Sequence, residues 1–312
     1  MKTVNTSSEK DTGLAAIIVT YNSAAALPAL LDSLPEGLKG VDHFEVIVAD
    51  NNSQDASAEV AAAHPVCSHV IRMGCNAGYA AAINAAAATV PPGISLLILN
   101  PDLQLYPATA EPMIEHLASS AVGIVAPMNY KGDGSVDPTL RREPSLVTAW
   151  AEAIFGGKLA AKMGLGEIVD LSGRYEESGT TEWAKGSALL VSARARQLVG
   201  EWDESFFLYS EEVDYQRRVR EAGLSIIFEP RAKVMHAGGG SGSGPRLFAL
   251  MTANKIRYYR RHHGRLKTAL FAAGVAFGQM LRFWRGSTHR AGLGGALRPS
   301  TALSQLRATA PA

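Results

Sequence analysis

At 312 residues, 47% of them hydrophobic, the chain can bury one large core, with or without a smaller appended unit. Its two cysteines, Cys67 and Cys75, lack zinc-type spacing, which argues against a disulfide framework and for a reducing compartment. The net charge of +1 hides an asymmetry: all 29 acidic residues lie at or before Glu229, while the following 83 residues carry 14 Lys and Arg and no carboxylate. Such a basic stretch suits an anionic partner, a membrane surface or a nucleic acid, or it folds against the acidic part of the chain.

Residues 1–13 are polar, lack the apolar run of a secretory signal and read as a disordered lead-in. Leu14 to Thr20 is then a continuous apolar run, as expected of a strand covered on both faces. Phe44 to Asp50, His69 to Arg72 and Ser95 to Asn100 follow the same pattern. Ala- and Leu-rich segments near 24–34, 55–63 and 78–89 separate them and are long enough to be helices. Strand alternating with helix predicts βαβ units around a mostly parallel sheet, with the loops after the strands gathered at one edge, where ligands bind. Residues 129–181 look irregular. Trp183 to Val191 predicts a strand, Glu211 to Gly223 a helix ending on a glycine, and Ser225 to Phe228 another strand.

Near the end, Lys255 to His263 is strongly basic and leads into Ala269 to Leu281, an apolar stretch of 13 residues. That is short of the roughly 20 residues a membrane span needs. It suits a helix lying at a membrane interface, or one packed on the domain. From Gly292 onward the sequence reads as disordered.

Polar residues end three of the strands: Thr20-Tyr21-Asn22, Asp50-Asn51-Asn52-Ser53 and Asn100-Pro101-Asp102. Asp50 could accept hydrogen bonds from a base or ribose, or it could form the turn while Asp55 caps the next helix. Asn76-Ala77-Gly78-Tyr79 turns into a helix whose N-terminus favours anions, with Gly78 permitting close backbone approach; a plain cap is the alternative. Asp102 could hold a hydrated Mg²⁺ or Mn²⁺ that takes its other ligands from phosphate and water, or end the strand in an ordinary turn.

Further on, aromatic residues precede Glu211, Glu212 and Asp214 at a predicted helix start. Acidic first-turn residues are ordinary partners of the helix dipole. Yet Glu211 and Asp214 share one helix face and Glu212 does not, so one carboxylate could act as general base while another anchors the loop. His236, before a Gly-rich segment, could complete a metal or phosphate site beside a loop able to close.

In their order, Val19-Thr20-Tyr21-Asn22, Asp50 to Asp55, Asn76 to Ala80 with Asn84, Leu99 to Asp102, Gly186-Ser187-Ala188 and Phe207 to Asp214 resemble the family 2 inverting glycosyltransferases. Within that family the chain is most similar to bacterial rhamnosyltransferases acting on polyprenyl-linked cell-wall or O-antigen intermediates. The resemblance implies an α/β fold of the GT-A type, a Rossmann-like, mostly parallel sheet flanked by helices, with a basic helical extension. It implies a catalytic domain over 14–262, binding nucleotide-sugar through 14–128 and acceptor through 129–262. A basic apolar tail would occupy 263–291, and 292–312 would be disordered.

By the same resemblance, Thr20, Tyr21, Asn22, Asp50, Asn52, Asn76, Gly78, Asn84, Asn100 and Asp102 bind a dTDP- or UDP-linked donor. Asp102 holds a divalent metal, with His236 added from its place before the Gly-rich segment, and Glu212 is the base, with Asp214 and then Glu211 behind it. Two positions depart from the family pattern: Asn100-Pro101-Asp102 replaces Asp-x-Asp, which weakens metal binding, and Glu211-Glu212 replaces Glu-Asp. The expected reaction moves a sugar, L-rhamnose from dTDP-rhamnose or another hexose from UDP, onto a polyprenyl-linked or polysaccharide acceptor. The expected place is the cytoplasm, peripheral on the inner face of an anionic membrane.

Three rival readings are weaker. A Rossmann oxidoreductase needs Gly-x-Gly-x-x-Gly after the first strand, where this chain has Thr20-Tyr21-Asn22-Ser23-Ala24-Ala25. A non-catalytic, membrane-associated binding module leaves the retained acidic cluster without a task. A nucleic-acid binder could use the basic tail but leaves the strand-end carboxylates unexplained, so nucleic acid is not an expected partner.

Overall fold

The computed structural model describes residues 13–170, 173–236, 238 and 244–300. Its first half runs β1 (Leu14–Thr20), α1 (Leu27–Gly37), β2 (Phe44–Asp50), α2 (Ser57–Ala63), β3 (His69–Arg72), α3 (Tyr79–Ala87), β4 (Ser95–Leu99), β5 (Leu103–Leu105), α4 (Ala110–His116) and β6 (Val122–Lys131). It continues with β7 (Leu140–Arg141), α5 (Leu146–Phe155), α6 (Gly157–Lys162), β8 (Gly179–Thr180), β9 (Trp183–Ala184), β10 (Ala188–Val191) and α7 (Ala193–Val199). The last part holds α8 (Glu211–Glu221), β11 (Ser225–His236), α9 (Pro245–His262), α10 (Arg265–Leu281) and α11 (Ser287–Leu297), with short 3₁₀ turns at Glu204–Phe206 and Phe283–Arg285.

The main sheet has the order β3-β2-β1-β4-β10-β6-β11-β5, with β8 added on β11; β7 and β9 pair separately. Every residue of β1 is buried, which explains its unbroken apolar run: α3 packs on one face and α1 on the other. β10 lies antiparallel between β4 and β6, while β11 runs parallel to β6. The sheet is therefore mixed but mostly parallel, as expected.

Register brings the polar strand ends together. Thr20 pairs directly with Asp50 across β1 and β2, and Ala188 at the start of β10 pairs with Leu99 at the end of β4. A register shift between Glu229 and Lys233 lets β11 carry on to His236, opposite Leu103 of β5. One sheet edge thus gathers residues from positions 20, 50, 100, 187 and 236.

Four expectations need correction. Residues 129–181 are not irregular throughout: α5 starts at a capping box in which the Ser145 hydroxyl accepts from Thr148 N–H and the Thr148 hydroxyl from Ser145 N–H. The predicted strand over Trp183 to Val191 breaks at Lys185–Ser187, because β9 joins β7 whereas β10 joins the main sheet. The strand from Ser225 runs well past Phe228. Residues 292–297 belong to α11, held by close packing: a Cβ at Gly295 would come within 2.2 Å of the Ala249 carbonyl oxygen, and one at Gly292 within 2.6 Å of Phe248. The lead-in up to residue 12 and the end from 301 lie outside the described residues.

Candidate active site

The rim of the sheet edge is built by two interlocked loops. The Thr20 hydroxyl donates to Asp50 Oδ1 at 2.9 Å, and Ser53 N–H donates to Asp50 Oδ2 at 3.0 Å, with the Ser53 hydroxyl also donating to Oδ1. Asn22 N–H donates to the Ser53 hydroxyl and its side-chain carbonyl accepts from Gln54 N–H. Asn22 and Asn52 both hold left-handed backbone, with φ of 53° and 63°, a conformation asparagine tolerates better than most residues. Asp50 is buried and organises this turn. Tyr21, just before it, leaves its ring exposed beside the edge. The Asn51 side chain accepts from Ala77 N–H at 2.9 Å, tying the rim to the loop around Asn76, whose own side chain accepts from Gly78 N–H.

Gly78 and Asn84 have different tasks from those expected. Gly78 sits at φ 100°, and a Cβ there would lie 2.4 Å from the Phe207 carbonyl oxygen. Tyr79 N–H donates to that same oxygen at 2.7 Å. The backbone at Phe207 therefore covers the start of α3, which is not an open anion cradle. Asn84, one and a half turns along α3, donates to the Trp202 carbonyl and to Glu204 and accepts from Trp202 N–H. It clamps α3 to the segment before α8.

Asp102 and His236 meet, and Asn100 is bonded to Tyr79 and Ser187 beside them. The Tyr79 hydroxyl donates to Asn100 Oδ1 at 2.9 Å, and Asn100 N–H donates to the Ser187 carbonyl at 2.8 Å. His236 Nε2 lies 3.1 Å from Asp102 Oδ1, both side chains partly exposed. A cleft of about 350 Å³ opens beside Asp102, between Ala25, Ala26 and Ala29 on one side and Leu103 and Gln104 on the other. No group of three or more metal-binding side chains occurs among the described residues. Asp102 and His236 offer two donors, a set that fits a divalent ion taking its remaining ligands from diphosphate and water. Most of the Gly-rich segment expected to close over the site lies outside the described residues.

The acidic cluster separates into two environments. Asp214, 1% exposed, accepts from Arg218 Nε at 2.9 Å and Arg261 Nη1 at 3.0 Å, with His262 Nε2 at 3.5 Å. It anchors α8 to α9. Glu211 and Glu212 instead each keep a buried Oε2 with no hydrogen-bond partner. Burial, and after it the charge of Glu212, pushes the Glu211 carboxyl well above the ordinary glutamate value. Glu212 is also raised, chiefly by burial. Burial and then the nearby carboxylates of Glu211, Glu212 and Asp102 push the Tyr79 phenol up, so it remains a proton donor to Asn100. Tyr79 thus links the acidic pair to the Asp102 side of the site.

The loop before this pair is strained. Phe207, Tyr209 and Ser210 all have positive φ, near 70°, which non-glycine residues adopt only when the surroundings enforce it. Asn254 on α9 does so: its side-chain nitrogen reaches the carbonyls of Phe206 and Leu208 at 2.8 Å and of Tyr209 at 3.2 Å. Gln216 on α8 holds both backbone groups of Ala184, which sets the Glu212 stem against Gly186. Asn254 and Gln216 were not legible as site residues in the sequence: each is a single polar residue in a helical stretch, and only the fold shows what it reaches.

A sheet ordered this way, with polar residues converging at its carboxyl edge, belongs to the GT-A class of α/β proteins. The chain is a member of Glycosyl transferase family 2, whose model matches residues 15–175. The matched span holds the strand-end residues through Asp102 and stops short of Glu211 and His236. An N-acetylglucosaminyl-diphospho-decaprenol L-rhamnosyltransferase of Mycobacterium tuberculosis is 29% identical over 238 residues, covering 72% of this chain and 75% of that protein. Among solved structures, a Pyrobaculum calidifontis mannosyltransferase in complex with GDP-Man and Mn²⁺ superposes with a TM-score of 0.54 at 17% identity, over 96% of this chain and 76% of that one. S. aureus TarS does so with a TM-score of 0.53 at 14% identity; the match covers 87% of this chain but only 43% of that one. At such identities the two structures speak for the fold alone.

Proposed function

We propose that the chain is an inverting glycosyltransferase that moves L-rhamnose from dTDP-rhamnose to a hydroxyl of a polyprenyl-linked acceptor in cell-envelope glycan synthesis. One observation carries the enzymatic part: two buried carboxylate oxygens, on Glu211 and Glu212, lack protein partners, and Glu212 lies against Gly186, next to the Ser187 whose carbonyl accepts from Asn100 N–H. A folded protein keeps unpaired buried carboxylates at a cost in stability, so they point to a ligand or a reaction. The similarity to the mycobacterial enzyme supports the choice of sugar and acceptor.

In this reading the Glu212 carboxylate takes the proton of the acceptor hydroxyl. The deprotonated acceptor oxygen attacks the anomeric carbon as the bond to the diphosphate oxygen breaks, and the configuration inverts. Asp214 cannot serve as base because Arg218 and Arg261 occupy both its oxygens. Of the remaining pair, Glu211 is 3% exposed and Glu212 more accessible, which favours Glu212. Its raised pKa suits a base working near neutral pH. Tyr21, Asn22 and the turn held by Asp50 would shape the nucleotide end. Asp102 and His236 would hold Mg²⁺ or Mn²⁺, which when bound supplies positive charge to the departing diphosphate.

The test is a donor screen with purified protein, Mg²⁺ or Mn²⁺ and a polyprenyl-diphosphate sugar. Transfer from dTDP-rhamnose supports the proposal in full. Transfer from a UDP-hexose or UDP-galactofuranose alone keeps the reaction and overturns the donor. Neither transfer nor donor hydrolysis from any nucleotide-sugar favours the non-catalytic binding module.

A further inference from the structure

We infer that α10, with the end of α5 and all of α6, forms a face that inserts into the surface of a bilayer bearing anionic headgroups. The inference names the partner surface for the lipid-linked acceptor proposed above and rests on that reading for its purpose.

α10 has two apolar faces. One is buried: Thr268, Phe271, Gly274 and Gly278 pack on the domain, with Gly274 against Trp150 and Gly278 against Ala153. The helix therefore packs on the fold, as one sequence alternative held, yet this uses only part of its apolar surface. A second face carries Leu266, Leu270, Met280 and Leu281, with Trp284 just beyond the helix, all exposed and Leu266 and Trp284 75% so. At 3.6 residues per turn these positions fall within about 100° of the helix circumference. α5, which packs on α10, and α6 add exposed Ile154, Phe155, Leu159 and Met163. Arg282 fixes the junction by donating to the carbonyls of Ala153 and Glu152 at the end of α5.

Charge selects the occupant. Arg265 and Lys267 flank one end of the stripe and Arg285 and Arg290 the other, while Lys158 and Lys162 project from α6. Arg285 lies 5.5 Å over the Trp284 ring and Arg290 5.4 Å over Phe283, so cations sit directly above exposed aromatics. No carboxylate follows Glu229 anywhere in the chain. A second copy of the same face would set Arg and Lys against Arg and Lys without countercharge. An anionic bilayer takes both the apolar stripe and its basic rim. Insertion would be shallow, since no described helix is long and apolar enough to cross a membrane. α9, whose Asn254 holds the loop ahead of Glu211, joins α10 across His263 and Gly264, so one helix links this face to the site.

Co-sedimentation of the full chain with phosphatidylcholine vesicles, with and without about one third phosphatidylglycerol, tests the inference. We expect binding to the anionic vesicles that weakens in high salt, and weak binding to the neutral ones. The double variant Leu266→Glu/Trp284→Glu, changed at exposed positions, should melt like the parent and bind roughly tenfold less. Leu198→Glu, an exposed position on α7, should bind normally. Three results would each overturn the inference: no binding of the parent to anionic vesicles, equal binding by the double variant, or a parent dimer that the double variant dissociates. Because the readout needs no sugar transfer, its failure leaves the glycosyltransferase proposal standing, and failure of the donor screen leaves vesicle binding to be judged alone.

Discussion

Gly78 and Phe207 lie so close that any side chain at 78 would run into the Phe207 backbone, with a Cβ 2.4 Å from its carbonyl oxygen. The contact locks the start of α3 to the loop that delivers Glu211 and Glu212. Gly78→Ala should therefore displace that loop. Strain at φ 100° alone would cost about 1–3 kcal/mol. We expect a lower melting temperature together with a large fall in kcat, read by calorimetry and transfer assay; unchanged values of both would remove the lock from the account.

Asn84 belongs to the frame. Asn84→Ala removes hydrogen bonds to Trp202 and Glu204 and should destabilise the fold by about 1–3 kcal/mol. The KM for the nucleotide-sugar should stay near its parent value at a temperature where the variant is folded. A selective rise in KM with normal stability would put Asn84 back in the donor pocket.

Asp214 is the buried counterion of Arg218 and Arg261. Asp214→Asn leaves two half-buried guanidinium groups without their shared anion and should cost about 1–3 kcal/mol in chemical denaturation. Inactivation without loss of stability would instead place Asp214 in the chemistry.

Glu211 titrates abnormally because burial and then Glu212 disfavour its charge. Its folded pKa lies above its unfolded one, so between the two the folded state holds more protons. Its contribution to stability is complete below the unfolded value and is lost as pH rises through the folded one. Glu211→Gln should accordingly raise stability at neutral pH relative to the parent. The difference from the parent should vanish in acid. Melting curves from pH 4 to 8 check this, and a variant less stable than the parent at neutral pH would contradict it.

Much of the frame was legible from the chain itself. β1 and β2 begin and end where the apolar runs do, because buried parallel strands need unbroken hydrophobicity, while β3, at the sheet's end, is short and half-exposed. Asn100 and Asp102 were legible for the same reason: a strand so clearly marked places its end residues at the sheet edge. α5 was not legible because its capping box pairs Ser145 with Thr148 instead of the Glu or Gln that usually marks a helix start in sequence. The tasks of Gly78 and Asn84 could not be read locally. Their partners, Phe207 and Trp202, lie more than 110 residues away in the chain, and only tertiary packing brings them into contact. Asp214 and Glu212 look alike in sequence and differ in Arg218 of α8 and Arg261 of α9, which pair with Asp214.

The central claim is that Glu212 is the base of a sugar transfer from a nucleotide diphosphate. Its most direct measurement is the pH profile of kcat/KM for the parent beside the activity of Glu212→Gln, with both proteins shown to be folded. Glu212 is raised, so the parent should lose activity in acid with a limb above the ordinary glutamate value near 4.3, and Glu212→Gln should lose transfer by roughly 100-fold or more. Full transfer by folded Glu212→Gln, with the same acidic limb, would contradict the account and move the base elsewhere.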